Sequence, residues 1–409
     1  MRADQLNPVS SRLTPIKPSA SAWVSDAAKK LRAEGHDVID MGLGEPDFDT
    51  PAHIIEAAHL AAKAGQTRYP PTAGTSELKS AVVDKFKRDN QLDYLASQII
   101  VSNGAKQVIF NAIMASLEEG DEVLLCAPYF GQYKDMVQIL GGLPIELSCN
   151  SQENFLLKAA TLEAAINQKT RWLILNAPSN PTGALYTEQQ LLELGKVLDR
   201  HPQVMIMADE IYEHIVFDQT PFLSFAQACP QLKSRTLIVN GVSKAYAMTG
   251  WRIGYGAGPE ALIRAMVTVQ SQISSGACSV AQAAAVAALN GPQDSVERFR
   301  QAFERRRDLV VSLINQIDGL NLDAPGGAFY AFVECDKFIG ATTPCGAKIT
   351  NDTELTQFLL QDALVATVPG TAYGLSPFFR LSTATNDDVL RLAIERISKS
   401  LTKLKLAEL

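Results

Sequence analysis

The chain has 409 residues, 46% of them hydrophobic and 20% charged, with a formal net charge of −7 at pH 7. That length exceeds what one core usually serves, so two domains are the expectation, and the ordinary composition is that of a globular enzyme. The acidic balance argues against nucleic acid as a partner, and the lack of an apolar run near ~18 residues, or of a leader-type apolar core, argues against a membrane span or export.

The first stretch is polar, with prolines at 8, 15 and 18, and reads as an arm. Residues 21–34 predict a helix closed by Gly35, and 38–41 a short strand. Gly42-Leu43-Gly44-Glu45-Pro46-Asp47-Phe48 follows. It is not a dinucleotide fingerprint, because the third glycine of Gly-x-Gly-x-x-Gly would fall on Asp47. Residues 53–64 and 75–90 predict helices, and 99–102 a strand that runs into Asn103-Gly104-Ala105-Lys106 at the start of another helix. The short apolar runs 122–127, 144–148, 172–176, 204–208 and 236–239 predict buried strands. Thr187-Glu188-Gln189-Gln190 fits a capping box. Helices alternating with such strands imply an α/β layer fold around a mostly parallel sheet. A long helical pattern over 294–316 reads as the connection to a second, smaller α+β domain. Strands near 328–333 and 378–382, a helix near 352–362 and a last helix from Asn386 complete it. The expected division is 1–49 as arm and part of the small domain, 50–305 as the large domain, and 306–409 as the small C-terminal domain. The six scattered cysteines contain no Cys-x-x-Cys pair. They point to reduced thiols in a cytoplasmic protein rather than a disulfide framework or zinc site, and no metal is expected.

The chemistry concentrates around Ser243-Lys244 and Arg252. A lysine whose surroundings lower its pKa is a nucleophile that forms a Schiff base with an aldehyde. A serine and an arginine nearby would hold a phosphate, the arginine bidentately. An aldehyde and a phosphate on one ligand describe pyridoxal phosphate (PLP). Asp209 closes the 204–208 run, where open α/β sheets bind ligands, and its carboxylate would pair with the ring nitrogen and keep the electron sink protonated. As a plain strand-end aspartate it would instead cap a helix. Tyr212 and Asn180, the latter in the turn Asn176-Ala177-Pro178-Ser179-Asn180-Pro181-Thr182-Gly183, are placed to meet the cofactor's phenolic oxygen. The N–H groups at Gly104-Ala105-Lys106 form an anion site at a helix start. Phe130 ends a strand and would stack on the ring. Arg380, between apolar residues, would take an α-carboxylate, or else an internal ion pair.

The spacing Ser-Lys-x5-Gly-x-Arg-x-Gly, with Asn180, Asp209, Tyr212, Lys244 and Arg252 in that order, resembles the class I, fold-type I PLP aminotransferases. Lys17-Pro18-Ser19-Ala20-Ser21, Gly44-Glu45-Pro46-Asp47-Phe48, Asn103-Gly104-Ala105-Lys106-Gln107 and Gly241-Val242-Ser243-Lys244 narrow the resemblance to the bacterial aspartate/prephenate subgroup. It implies a homodimer in which Tyr69 reaches the neighbouring subunit's phosphate. It also implies a cis Asn180–Pro181 bond, and a substrate pocket using Gly44, Phe130, Asn180, Arg380, Lys106, Lys17 and Ser21. The matching lysine, Lys106, faces the distal carboxylate of a dicarboxylic substrate in that subgroup. Phe130 stands where many relatives have tryptophan, which removes an indole donor. Ser21 stands where they often have threonine. Three other readings compete. A serine hydrolase would use Gly241-Val242-Ser243-Lys244-Ala245, but alanine stands where Gly-x-Ser-x-Gly needs glycine, and no histidine follows Ser243. A non-catalytic regulator on this fold would carry a DNA-binding segment ahead of it, for which the arm is short. A PLP lyase on the same fold differs only in site geometry. Aromatic or aliphatic amino donors are the alternative to aspartate and glutamate.

Overall fold

The computed structural model describes residues 9–16, 18 and 20–406, with the backbone alone at Ser21. A two-residue strand β1 (Ile39–Asp40) precedes the main sheet. The main sheet contains β2 (Ile99–Asn103), β3 (Glu122–Ala127), β4 (Leu143–Ser148), β5 (Thr170–Asn176), β6 (Met205–Asp209), β7 (Thr236–Gly241) and β8 (Ile253–Ala257), in the order β2-β8-β7-β6-β5-β3-β4. All neighbours in it are parallel except those of β8, which is antiparallel to both β2 and β7. Every residue of β7 and β8 is buried. That burial is why these strands read as continuous runs rather than alternating ones. The pattern 253–257, Ile-Gly-Tyr-Gly-Ala, gave no strand signal, because its two glycines look like breakers. At both of them the neighbouring chain comes too close for a side chain. A Cβ on Gly254 would lie 2.1 Å from Ala105 N, and one on Gly256 would lie 2.8 Å from Val108 Cγ1.

Apolar clusters sandwich the sheet. One is built on Phe86, Tyr255 and the helix Ser279–Asn290, and another on Ile109, Tyr133 and Met266. The helix Asp294–Ile314 then leads to an antiparallel sheet of β9 (Tyr330–Glu334), β11 (Val368–Pro369) and β12 (Phe378–Ser382), in the order β11-β12-β9. β1 pairs in parallel with β10 (Val365–Ala366), and Ser382 N donates to Met41 O at 2.8 Å. The N-terminal segment therefore packs with the C-terminal part, as expected. Met41 shares a core with Val310, Phe379 and Ile397.

Candidate active site

The antiparallel strand organises the site. β5, β6 and β7 all end at one edge of the main sheet, and antiparallel β8 begins there. The residue just before it, Arg252, therefore stands beside Asn103–Gly104 at the end of β2. Arg252 sits in the left-handed region at φ +58°. Its Nη1 donates to Thr249 O at 2.8 Å and its Nη2 to Asn103 O at 3.4 Å. A Cβ on Gly104 would come within 2.3 Å of Arg252 Nη2, so only glycine allows the guanidinium to lie against the start of the helix Ala105–Ser116. A cation and a helix N-terminus in contact form a strong anion cradle. At Gly250, by contrast, a Cβ would meet nothing within 4 Å, so packing does not require that glycine.

Ser243 and Lys244 follow β7 and line a cavity of about 350 Å³. Its walls also include Gly44, Ala105, Lys106, Phe130, Asn180, Asp209, Tyr212, Arg252 and Arg380. Lys244 Nζ donates to Gly44 O at 2.5 Å. Burial, then the nearby Arg380 charge, lowers its pKa to about 8, which raises the fraction of neutral, nucleophilic amine. Asp209 is buried, and burial pushes its carboxyl up to about 6 against the opposing pull of Tyr133. Tyr133 Oη donates to Asp209 Oδ2 at 2.5 Å. Asn176 Nδ2 holds the backbone carbonyl of Asp209 at 2.9 Å, and Asn176 Oδ1 accepts from Asn180 N at 2.8 Å. Arg380, 3% exposed on β12, donates Nη1 to Asn180 Oδ1 at 3.0 Å and Nη2 to Gly42 O. Its Nε is buried without a hydrogen-bond partner among the described residues. Tyr212 Oη and Tyr330 Oη share a hydrogen bond of 2.8 Å. Lys106 Nζ lies 5.5 Å from the centre of the Phe130 ring, and the surrounding protein and then Arg252 lower its pKa.

Some expectations fall elsewhere. Tyr69 is 96% exposed and does not line this cavity, which its expected place at a neighbouring subunit's phosphate does not require. Lys17 lies outside the described residues, and Ser21 is described only as part of the helix Ala20–Ala33. Asn180–Pro181 is not cis, while Ala177–Pro178 in the same turn is. The turn does hold a cis proline, but at its entrance, where the chain leaves β5. Motif reading also missed Tyr133, Tyr330, Asn176, Glu45 and Thr249. The last two are joined by a Thr249 Oγ1 to Glu45 Oε1 bond of 2.6 Å at the cavity wall. Tyr133 and Tyr330 sit in patterns that read as core positions. None of the five histidines lines the cavity, so Ser243 has no histidine base there, and the hydrolase reading lacks its machinery.

These residues fit PLP. An amine of lowered pKa would meet the aldehyde, the glycine-lined cradle at Arg252 would meet the phosphate, and the buried Asp209 would be relieved by a cationic ring nitrogen. The orphaned Nε of Arg380 leaves donor capacity for a carboxylate. Sheet and site together define a fold-type I enzyme that uses PLP to move amino groups. The family model for "Aminotransferase class I and II" matches residues 36–397, and the chain belongs to that family. It is 51% identical to an aspartate aminotransferase of Rhizobium meliloti (strain 1021) over 394 residues, 96% of each chain. It is also 51% identical to an aspartate/prephenate aminotransferase of Cereibacter sphaeroides, over 95% of this chain and 97% of that one. The solved aspartate aminotransferase from Rhizobium meliloti superposes with a TM-score of 0.95 at 50% identity, covering 98% of this chain and all of the other. The Thermus thermophilus aspartate aminotransferase with maleate gives 0.90 at 38% identity, covering 97% of this chain and all of the other.

Proposed function

We propose that this transaminase takes a dicarboxylic amino donor, aspartate or glutamate, and exchanges its amino group with 2-oxoglutarate or oxaloacetate, with prephenate as a further acceptor. The observation that carries the reading is a pair of cations on one cavity, Arg380 and Lys106, beyond the Arg252 that the phosphate requires. Two carboxylates need two cations. Arg380 binds the α-carboxylate, with Asn180 and Gly42 fixing its fork. Lys106 meets the distal carboxylate over the face of Phe130. The aspartate and aspartate/prephenate aminotransferases among its relatives support the same reading, as does the Thermus thermophilus neighbour with maleate, a dicarboxylate.

The bound cofactor supplies an electron sink that stabilises the charge left on the substrate Cα when its proton departs. Lys244 Nζ accepts that proton and delivers it elsewhere on the same face, a task suited to a pKa near neutrality. Asp209 holds a positive charge at the ring nitrogen. Tyr212 and Asn180 donate to the phenolic oxygen. With Oδ1 of Asn180 occupied by Arg380, Nδ2 is its remaining donor. Ser243, Arg252 and the Gly104–Lys106 N–H groups hold the phosphate, and Phe130 and the Gly44 strap confine the ring and the donor.

The assembly proposed is a homodimer. Tyr69 is exposed, as are the apolar residues Ile55 and Leu60, and it would complete the phosphate site of a second copy. The division into 1–49, 50–305 and 306–409 is part of this reading, supported by the separate cores around the main sheet and around Met41. So is a cytoplasmic setting, supported by six free cysteines. Among the described residues, no helix is long and apolar enough to cross a membrane. The deciding experiment is a panel of amino donors with 2-oxoglutarate. Aspartate and glutamate should lead. Preference for aromatic or aliphatic donors would overturn the substrate assignment, and loss of carbon dioxide or a β-substituent without amino transfer would favour a lyase.

A further inference from the structure

We propose that Tyr133 is a positioning residue for the cofactor's ring nitrogen. It grips Asp209 by one carboxylate oxygen and so leaves the other, still ionised, for the ring. The inference rests on the pairing of Asp209 with that nitrogen. Tyr133 is 1% exposed and belongs to the first turn of the helix Gln132–Ile139. Its Oη meets Asp209 Oδ2 at 2.5 Å. Asp209 Oδ1 accepts only a 3.4 Å bond from Ile211 N among the described residues. The two oxygens are therefore unequal, and Oδ1 keeps accepting capacity. The main chain at Asp209 is also held, because Asn176 Nδ2 and Ala177 N both bond its backbone carbonyl, at 2.9 and 3.2 Å.

Without a donor, a buried carboxylate at this depth gains a proton and becomes a poor partner for a cation. Tyr133 opposes that drift, since its bond stabilises the ionised form. A phenol suits the task. Burial and the adjacent carboxylate raise its own pKa, so it stays a donor and does not compete as an anion. The same short segment also carries Phe130. Tyr133 N donates to Phe130 O at 2.9 Å, and the two rings meet edge to face at 5.4 Å. One helix start thus sets both the ring's stacking partner and the carboxylate that meets its nitrogen.

The test uses the full chain, stripped of cofactor and reloaded with either PLP or its 1-deaza analogue, in which CH replaces the ring nitrogen. A hydrogen bond to a charged group is worth about ten- to a hundredfold in affinity. Tyr133→Phe should weaken PLP by about that factor and leave the deaza analogue within about threefold, and Asp209→Asn should show the same pattern. If the stripped variant is unstable, dissociation rates from the reloaded protein give the same comparison. Equal losses for both ligands, or none, would overturn the proposal, because a structural tyrosine does not distinguish N from CH. If Asp209→Asn discriminates and Tyr133→Phe does not, the Tyr133 proposal alone fails. If Asp209→Asn does not discriminate, the ring-nitrogen pairing fails and takes the proposal with it.

Discussion

Arg306 grips Asp47 through two parallel bonds, Nη1 to Oδ1 at 2.7 Å and Nη2 to Oδ2 at 2.8 Å. Asp47 lies in the strap 42–48, whose Gly42 and Gly44 carbonyls receive Arg380 and Lys244. Phe48 next to it stacks on Phe299 at 4.2 Å and 6°. The strap is thus fastened to the helix Asp294–Ile314 at one end and aimed at the site at the other. Asp47→Asn leaves Arg306, 5% exposed, without its bidentate charge partner and with only the 3.7 Å pair from its Nε to Asp387 Oδ1 among the described residues. A loss of about 1–3 kcal/mol in stability is expected, with kcat/KM about tenfold lower through misplacement of the strap. Adding Arg306→Met should recover part of the stability by denaturant melt but little of kcat/KM. Full recovery of both would mean that the pair does not position the strap.

Lys244 in the cofactor-free protein should lose its proton near pH 8, because burial and Arg380 disfavour the ammonium. The rate of PLP capture should therefore rise with pH through about 8, not through the usual lysine range. Arg380→Leu should move that midpoint upward, since one cation is removed. Stopped-flow absorbance against pH reads both. Lys244→Ala should lose the visible band of the linked cofactor and nearly all turnover, and a variant that kept them would refute the assignment.

Much of this site could be read from the chain because each strand-end motif carries its own chemistry. Asp209, Asn180 and Lys244 sit at or just after the points where short apolar runs stop, and a parallel sheet brings such ends together. Two features escaped that logic. β8 was hidden because close packing against Ala105 and Val108 requires glycines that mimic a turn. Tyr133 and Tyr330 looked like core aromatics, and only the fold shows their hydroxyls bonded to Asp209 and Tyr212. The misplaced cis bond has a similar origin. Pro178 and Pro181 look alike in the sequence of the turn, and only the fold shows which bond is cis.

Asp209 also makes a testable trade. Its carboxyl is raised to about 6, so the folded protein holds that proton more tightly than the unfolded chain does. Stability present below the ordinary carboxyl range is therefore lost as pH rises through about 6. In the cofactor-free protein, Asp209→Asn should be more stable than the parent at pH 7 by about 1–3 kcal/mol, and near parity at pH 4. The same variant should transaminate poorly, because an amide cannot hold a charge on the ring. Denaturant melts at the two pH values check the first half, and steady-state turnover checks the second. A variant less stable at pH 7 would mean that the carboxylate's hydrogen bonds outweigh its burial.

The substrate assignment turns on Lys106. It is exposed in the single chain, at the first turn of the helix Ala105–Ser116, where a lysine opposes the helix dipole. Arg252 lies close enough to lower its pKa further. A cation placed against a dipole and a second cation is unfavourable unless an anion shares the space. In the proposed site a phosphate would take Arg252 and the N–H groups, which would leave the distal carboxylate as the anion for Lys106. A charge-assisted hydrogen bond of about 1.5–3 kcal/mol corresponds to about ten- to a hundredfold in kcat/KM. Lys106→Ala should lower kcat/KM for aspartate by that factor, and for alanine or phenylalanine much less. Equal losses across donors would instead assign Lys106 to the phosphate or to the helix itself.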